Sequence, residues 1–284
     1  MNTTPILAAR FANSTRVLRS DMPLSEEAMR HTAPSIFAPG KHVSRSERYA
    51  YIPTIEVLRG LREEGFQPFM VAQGQSRIAG KTEYTKHMIR MRHGSGQIGT
   101  KPEANEIILI NSHDGASSYQ LISGVFRFVC HNGLVVGDLA HDIRVPHKGA
   151  VEDEVIEGAF RVLEDFQTVD ASVDAMKAIE LTPDEERAFA TAALALRFGE
   201  RGEGLPSAPI SAEQLLEARR PEDVGRSLWL GLQRVQANAM IGGQPGRTAQ
   251  GRRMRTRGVA NIDRNVSINR ALWILAEEMR RLKG

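Results

Sequence analysis

Cysteine is nearly absent from this chain. Cys130 is the one cysteine among 284 residues, which excludes an internal disulfide framework and fits a reducing compartment. Aromatic residues make up only 6%. No apolar run approaches the roughly 20 residues of a membrane-spanning helix, and residues 1–20 lack a signal-peptide apolar stretch. The expected location is therefore the cytosol, with no membrane partner. Eight histidines are present, yet no HExxH, CxxC or other tightly spaced ligand set accompanies them. No GxSxG occurs, and the glycine-rich stretch 94–102 (GSGQIGTKP) lacks the P-loop pattern. Cys130 beside His131 reads as a strand-end cysteine before it reads as a nucleophile. Neither an enzyme nor a bound metal or cofactor is expected.

The overall charge of +3 conceals an asymmetry. Residues 151–200 hold thirteen acids against four bases, a net of −9, so the rest of the chain carries +12. A basic body with an acidic helical segment suits a polyanion partner. It equally suits complementary surfaces packed on each other, or solvated faces.

The longest apolar region, 105–138, is punctuated like a β-meander, with turn pairs at Asp114-Gly115 and Asn132-Gly133. Its middle run, 118–130, is apolar on both faces, as expected of a central strand covered on both sides. Before it lie strand candidates at 49–52 and 67–73 and a helix over 55–65. After it, helical periodicity dominates from Val151, with Thr182 and Ser211 as N-caps, a helix over 222–240 and a last helix over 266–282. The prediction is an α+β fold, a mainly antiparallel sheet packed with helices and followed by a helical half. Its segments are a partly irregular arm at 1–48 with a short helical candidate at 24–31, a sheet core at 49–148 and a helical region at 149–284, either separate or joined in one continuous domain.

Two stretches carry the functional signal. Residues 83–93 alternate, with Tyr84, Lys86, Met88, Arg90 and Arg92 on one face. Such a strand could track a phosphate backbone, with Tyr84 stacking on bases, or it could be an edge strand protected by charge. The stretch 242–260 (GGQPGRTAQGRRMRTRGVA) holds Arg247, Arg252, Arg253, Arg255 and Arg257 with no acid. Arginine on a glycine-rich backbone reaches phosphates bidentately. The competing reading is a solvated loop, or one salt-bridged to the acidic 151–186 region.

The segments YIPTIEVLRGLREEGFQP (51–68), NSHDGASSYQLISGVFRFVCHNGLVVG (111–137) and NRALWILAEEM (269–279) resemble domain-of-unknown-function family 932, the plasmid- and phage-like proteins. Members are often carried on mobile elements beside single-strand-binding and recombination functions, which implies DNA handling but no catalytic residues. The architecture is also similar to single-strand annealing recombinases, which assemble into rings or filaments. The expectation is a sequence-independent nucleic-acid-binding protein that favours single-stranded DNA, forms homo-oligomers and acts in strand annealing. One alternative is a regulatory or anti-defence protein that docks a host protein through its acidic helices. Another is a metal-dependent hydrolase built from His113, Asp114, His131 and His141.

Overall fold

In a computed structural model of the chain, the described residues are 15–45, 51–78, 80–94, 102–128, 132–136, 142–148, 150–199 and 208–283. The chain divides into two compact units, Met1–Phe128 with Asp138–Phe166, and Val129–Gly137 with Gln167–Gly284. The fold is α+β, as the sequence implies.

The first unit is built on an antiparallel sheet. The strands β1 (Thr15–Arg19), β2 (Phe66–Gly74), β3 (His87–His93), β4 (Glu103–Asn111) and β5 (Tyr119–Arg127) lie side by side in chain order. A further strand of this unit, β7 (Ile143–Val145), pairs antiparallel with β5. Between β4 and β5 the chain turns at Asp114-Gly115, where Gly115 adopts φ +79, a left-handed value that favours glycine. The register sets Ile108 opposite Ile122 and Leu109 opposite Leu121, so successive apolar pairs fall on opposite faces, and all four residues are buried.

On one face, Ile89, Met91, Ile107, Leu109, Tyr119 and Leu121 meet two amphipathic helices. These are α2 (Thr54–Glu63), through Val57, Leu58 and Leu61, and α3 (Val151–Glu164), through Val155, Ala159 and Val162. A shorter helix, α1 (Glu26–Thr32), adds Met29 to the same core.

The second unit contains β6 (Asn132–Val135), α4 (Phe166–Ala178), α5 (Pro183–Phe198), α6 (Ala212–Leu216), α7 (Leu228–Ile241) and α8 (Ile262–Lys283). Capping boxes at Thr182/Glu185 and Ser211/Gln214 start α5 and α6, each satisfying otherwise orphaned amides at the helix start. The helix α7 is buried on nearly every side, and α5, α6 and α8 all pack on it. Lys283 at the end of α8 bonds Glu185 at 2.9 Å.

Several local expectations differ from what is found. Within 1–48 the strand β1, which pairs with β2, is an addition to the expectation, whereas α1 stands at the helical candidate 24–31. Residues 1–14 and 46–50 lie outside the described residues, and 51–52 are not strand. Asn132 and Gly133 belong to β6 and are not its turn; residues 129–131, with Cys130 and His131, are outside the described residues. The helix expected from Glu222 begins at Leu228, capped by the Ser227 hydroxyl, because Gly225 at φ +149 interrupts the chain before it. The helix α3 packs on β5 in the first unit.

Candidate nucleic-acid interface

The arginine-rich stretch forms an antiparallel ribbon in the second unit, β8 (Pro245–Arg247) with β9 (Arg253–Arg255). The turn between them closes through Gly251 N–H to the Thr248 carbonyl at 2.9 Å and Arg252 N–H to Thr248 Oγ1 at 3.2 Å. Arg247 stands opposite Arg253, and Pro245 opposite Arg255, so three arginines share one face. The other face carries Gly246 and Met254. Gly246 is pressed so closely on the Pro209 carbonyl that a Cβ there would collide with it, and Arg247 N–H donates to that carbonyl at 2.9 Å.

The base of the ribbon is fixed by the buried side chains of Gln244, Asn238 and Arg197 and by the more exposed Arg219. Gln244 Nε2 donates to Asn238 Oδ1 at 2.6 Å and to the Gln214 carbonyl at 3.1 Å. Arg197 Nε donates to the Ala239 carbonyl at 2.9 Å, and its Nη2 donates to the Arg257 carbonyl at 2.8 Å. Arg219 donates to Asn238 and to the Gly242 carbonyl. Burial lowers the pKa of both, with Arg264 adding to the effect at Arg197 and Arg220 at Arg219.

All five predicted arginines, Arg247, Arg252, Arg253, Arg255 and Arg257, are exposed. None forms a salt bridge with a carboxylate among the described residues. Arg247 and Arg255 each return one donor to the ribbon, to the Gly251 and Gly243 carbonyls at 3.0 and 2.9 Å, and keep the rest for solvent. Among the acids of 151–186, Glu157 pairs with Arg161, Glu185 with Lys283 and Glu186 with Arg234. Gly246→Ala is expected to push the ribbon off Pro209 and cost about 1–3 kcal/mol of stability. Thermal unfolding checks this, and an unchanged midpoint would contradict the packing described.

The other predicted residues lie in the first unit and are placed differently. Arg90 and Arg92 do share a face of β3, but that face is interior. Arg90 is 3% exposed and bonds Glu106, itself 1% exposed, at 2.5 Å. Arg92 bonds the other Glu106 oxygen at 2.9 Å and stacks on Phe69, Phe126 and Phe128, 4.2, 4.4 and 4.9 Å from the ring centres. Both guanidinium groups share the one Glu106 carboxylate within this face of the sheet. Lys86 precedes β3 and is half-buried. Tyr84 lies in a 3-10 turn, Thr82–Tyr84, and meets His42 edge-on at 5.3 Å. The partner of this arginine pair has a sequence signal of its own: a carboxylate inside the apolar run of β4 requires a cation beside it.

A second polar cluster sits in the first unit around Thr54. Ser35 donates both its N–H and its hydroxyl to Gln73 Oε1, at 2.9 and 2.8 Å. Its Oγ therefore accepts from His87 Nδ1 at 2.9 Å, leaving His87 Nε2 to accept the Thr54 hydroxyl at 3.0 Å. With that proton committed, His113 Nε2 must donate to Thr54 Oγ1 at 3.1 Å, beside the Asn111 amide at 3.0 Å. His113 Nδ1 is then a bare lone pair with no hydrogen-bond partner among the described residues. A proton added at His113 Nδ1 would find no acceptor among the described residues.

Burial accordingly presses His87 well below 6.5 and His113 down to about 4, with neighbouring imidazoles adding to the effect. Burial also lowers His147. The charged neighbours are Asp114, held low by the Ala116 amide and Lys81 against the upward pull of burial, and Lys81 itself, 3.2 Å from it. Unfolded, these histidines take up protons near 6.5, so below that value the unfolded chain binds more protons than the folded one. Their stabilisation is complete above about pH 7 and is lost as pH falls toward 4, on the order of 3 kcal/mol for His113. Urea unfolding at about pH 7 and about pH 5 measures it; a flat profile would contradict this wiring. For the hydrolase alternative, His131 and His141 lie outside the described residues, and no metal-binding group occurs among the described ones.

Among the described residues, no helix is long and apolar enough to cross a membrane. No solved structure matches the chain. Two Escherichia coli K12 proteins, the UPF0380 proteins YafZ and YfjQ, are each 48% identical over 273 residues, covering 96% of this chain and 97% of their own. The family model described as "Domain of unknown function (DUF932)" matches residues 41–273, so the chain belongs to that family.

Proposed function

We propose that the protein binds nucleic acid through the arginine face of β8–β9, gripping the sugar–phosphate backbone by charge and bidentate hydrogen bonds. One observation carries this reading. Arg247, Arg252, Arg253, Arg255 and Arg257 are exposed on a framed ribbon, with no carboxylate partner among the described residues. Like charges directly opposite each other, as Arg247 and Arg253 are, cost a sheet stability. A bound polyanion offsets that cost and releases counterions. No cofactor or nucleotide hydrolysis is required. Homo-oligomerisation would repeat the ribbon and multiply its phosphate contacts.

Strand annealing is a narrower reading, because holding bases exposed calls for stacking side chains. Residues 243–257 contain no Phe, Trp or Tyr.

Fluorescence anisotropy of the full chain with a labelled single strand, and with duplex of equal length, tests the reading across a salt titration. Binding that weakens steeply with salt is expected. Flat, weak binding at low salt would overturn it and favour a protein partner.

A further inference from the structure

We propose that the ribbon seats in the major groove of B-form duplex DNA, with Arg247, Arg253 and Arg255 facing base edges and Arg252 and Arg257 meeting the flanking phosphates. The inference rests on the nucleic-acid reading of the same ribbon and adds which form of nucleic acid it takes.

Shape favours this seat. Two antiparallel strands lie about 5 Å apart, and the B-form major groove, about 12 Å wide, admits a two-stranded ribbon. Only one face of β8–β9 is available, because Gly246 on the other is pressed against Pro209. That available face carries arginines from both strands, with Arg247 directly across from Arg253.

Chemistry favours it too. An arginine fork matches the O6 and N7 acceptors that guanine presents in this groove. Arg247 and Arg255 are each tethered by one donor to a ribbon carbonyl, which limits the entropy cost of docking while leaving the remaining donors to reach outward. Arg252 lies beside the turn and Arg257 beyond the end of β9, both outside the paired residues and suited to the groove walls. The alternatives fit less well. A single strand is held largely by stacking on aromatic rings, and residues 243–257 contain no Phe, Trp or Tyr. The major groove of an A-form RNA duplex is too deep and narrow for side chains to read.

The test is competition anisotropy on the full chain with one guanine-rich sequence prepared in four forms. These are a DNA duplex, the same duplex with 7-deazaguanine in place of guanine, the DNA single strand, and the RNA duplex. The DNA duplex is expected to bind about tenfold tighter than the RNA duplex or the single strand, and removing N7 should cost several-fold. Arg253→Gln should narrow the difference between guanine and 7-deazaguanine, with Arg247 and Arg255 keeping the rest. Arg257→Gln should keep that difference and lower the salt slope by about one. Equal, salt-sensitive affinity for all four forms would overturn groove seating while leaving backbone binding intact. No salt-sensitive binding to any form would overturn both.

Discussion

Replacing Arg247, Arg252, Arg253, Arg255 and Arg257 together by glutamine is expected to weaken nucleic-acid binding by about 100-fold or more near 0.1 M salt. For every phosphate that is no longer neutralised, the dependence of log affinity on log salt should flatten by about 0.9 on a B-form duplex. The variant should fold normally, because the only hydrogen bonds these side chains make to described residues are those of Arg247 and Arg255 to ribbon carbonyls. The supports of the ribbon, Gln244, Asn238, Arg197 and Arg219, are untouched. Relieving the repulsion between Arg247 and Arg253 should leave the thermal midpoint unchanged or slightly higher. Unchanged affinity in a folded variant would remove the ribbon from the binding surface.

The second large effect lies in the first unit. Glu106→Ala would leave Arg90 and Arg92 without their carboxylate inside the sheet. Breaking a buried pair by removing one member costs about 3–5 kcal/mol, because the remaining charge is left without compensation. Here one carboxylate serves two guanidinium groups, at 2.5 and 2.9 Å. Glu106→Gln, which keeps the shape and an acceptor oxygen, should cost less. Hydrogen exchange at the amides of β3 and β4 reads the loss where it occurs. Native-like protection in the alanine variant would show that the pair contributes little to the sheet.

The contrast between these clusters explains what the sequence disclosed. The apolar runs 106–112 and 118–130 mark β4 and β5 as central strands, because a strand apolar on both faces needs cover on both. Thr182 and Ser211 are readable as caps because the carboxylate or amide three residues later completes a local motif. By contrast, nothing local to Arg90 and Arg92 says whether their face looks to solvent or inward. That depends on Glu106, on a different strand, and on Phe69, Phe126 and Phe128. The arginine stretch is legible as a polyanion site from composition. Its pairing is not, because glycines and a short 247–253 register carry little strand propensity. The wiring around Thr54 is invisible for the same reason as the Glu106 cluster: Ser35, His87, Asn111 and His113 meet only when the sheet forms.

If the arginine face binds nucleic acid by charge, its signature is the slope of log affinity against log salt. That slope should be measured for the native chain and for the variant lacking Arg247, Arg252, Arg253, Arg255 and Arg257. A steep slope is expected for the native chain, and one shallower by several units for the variant. Identical slopes, or a native slope near zero, would contradict binding through this face.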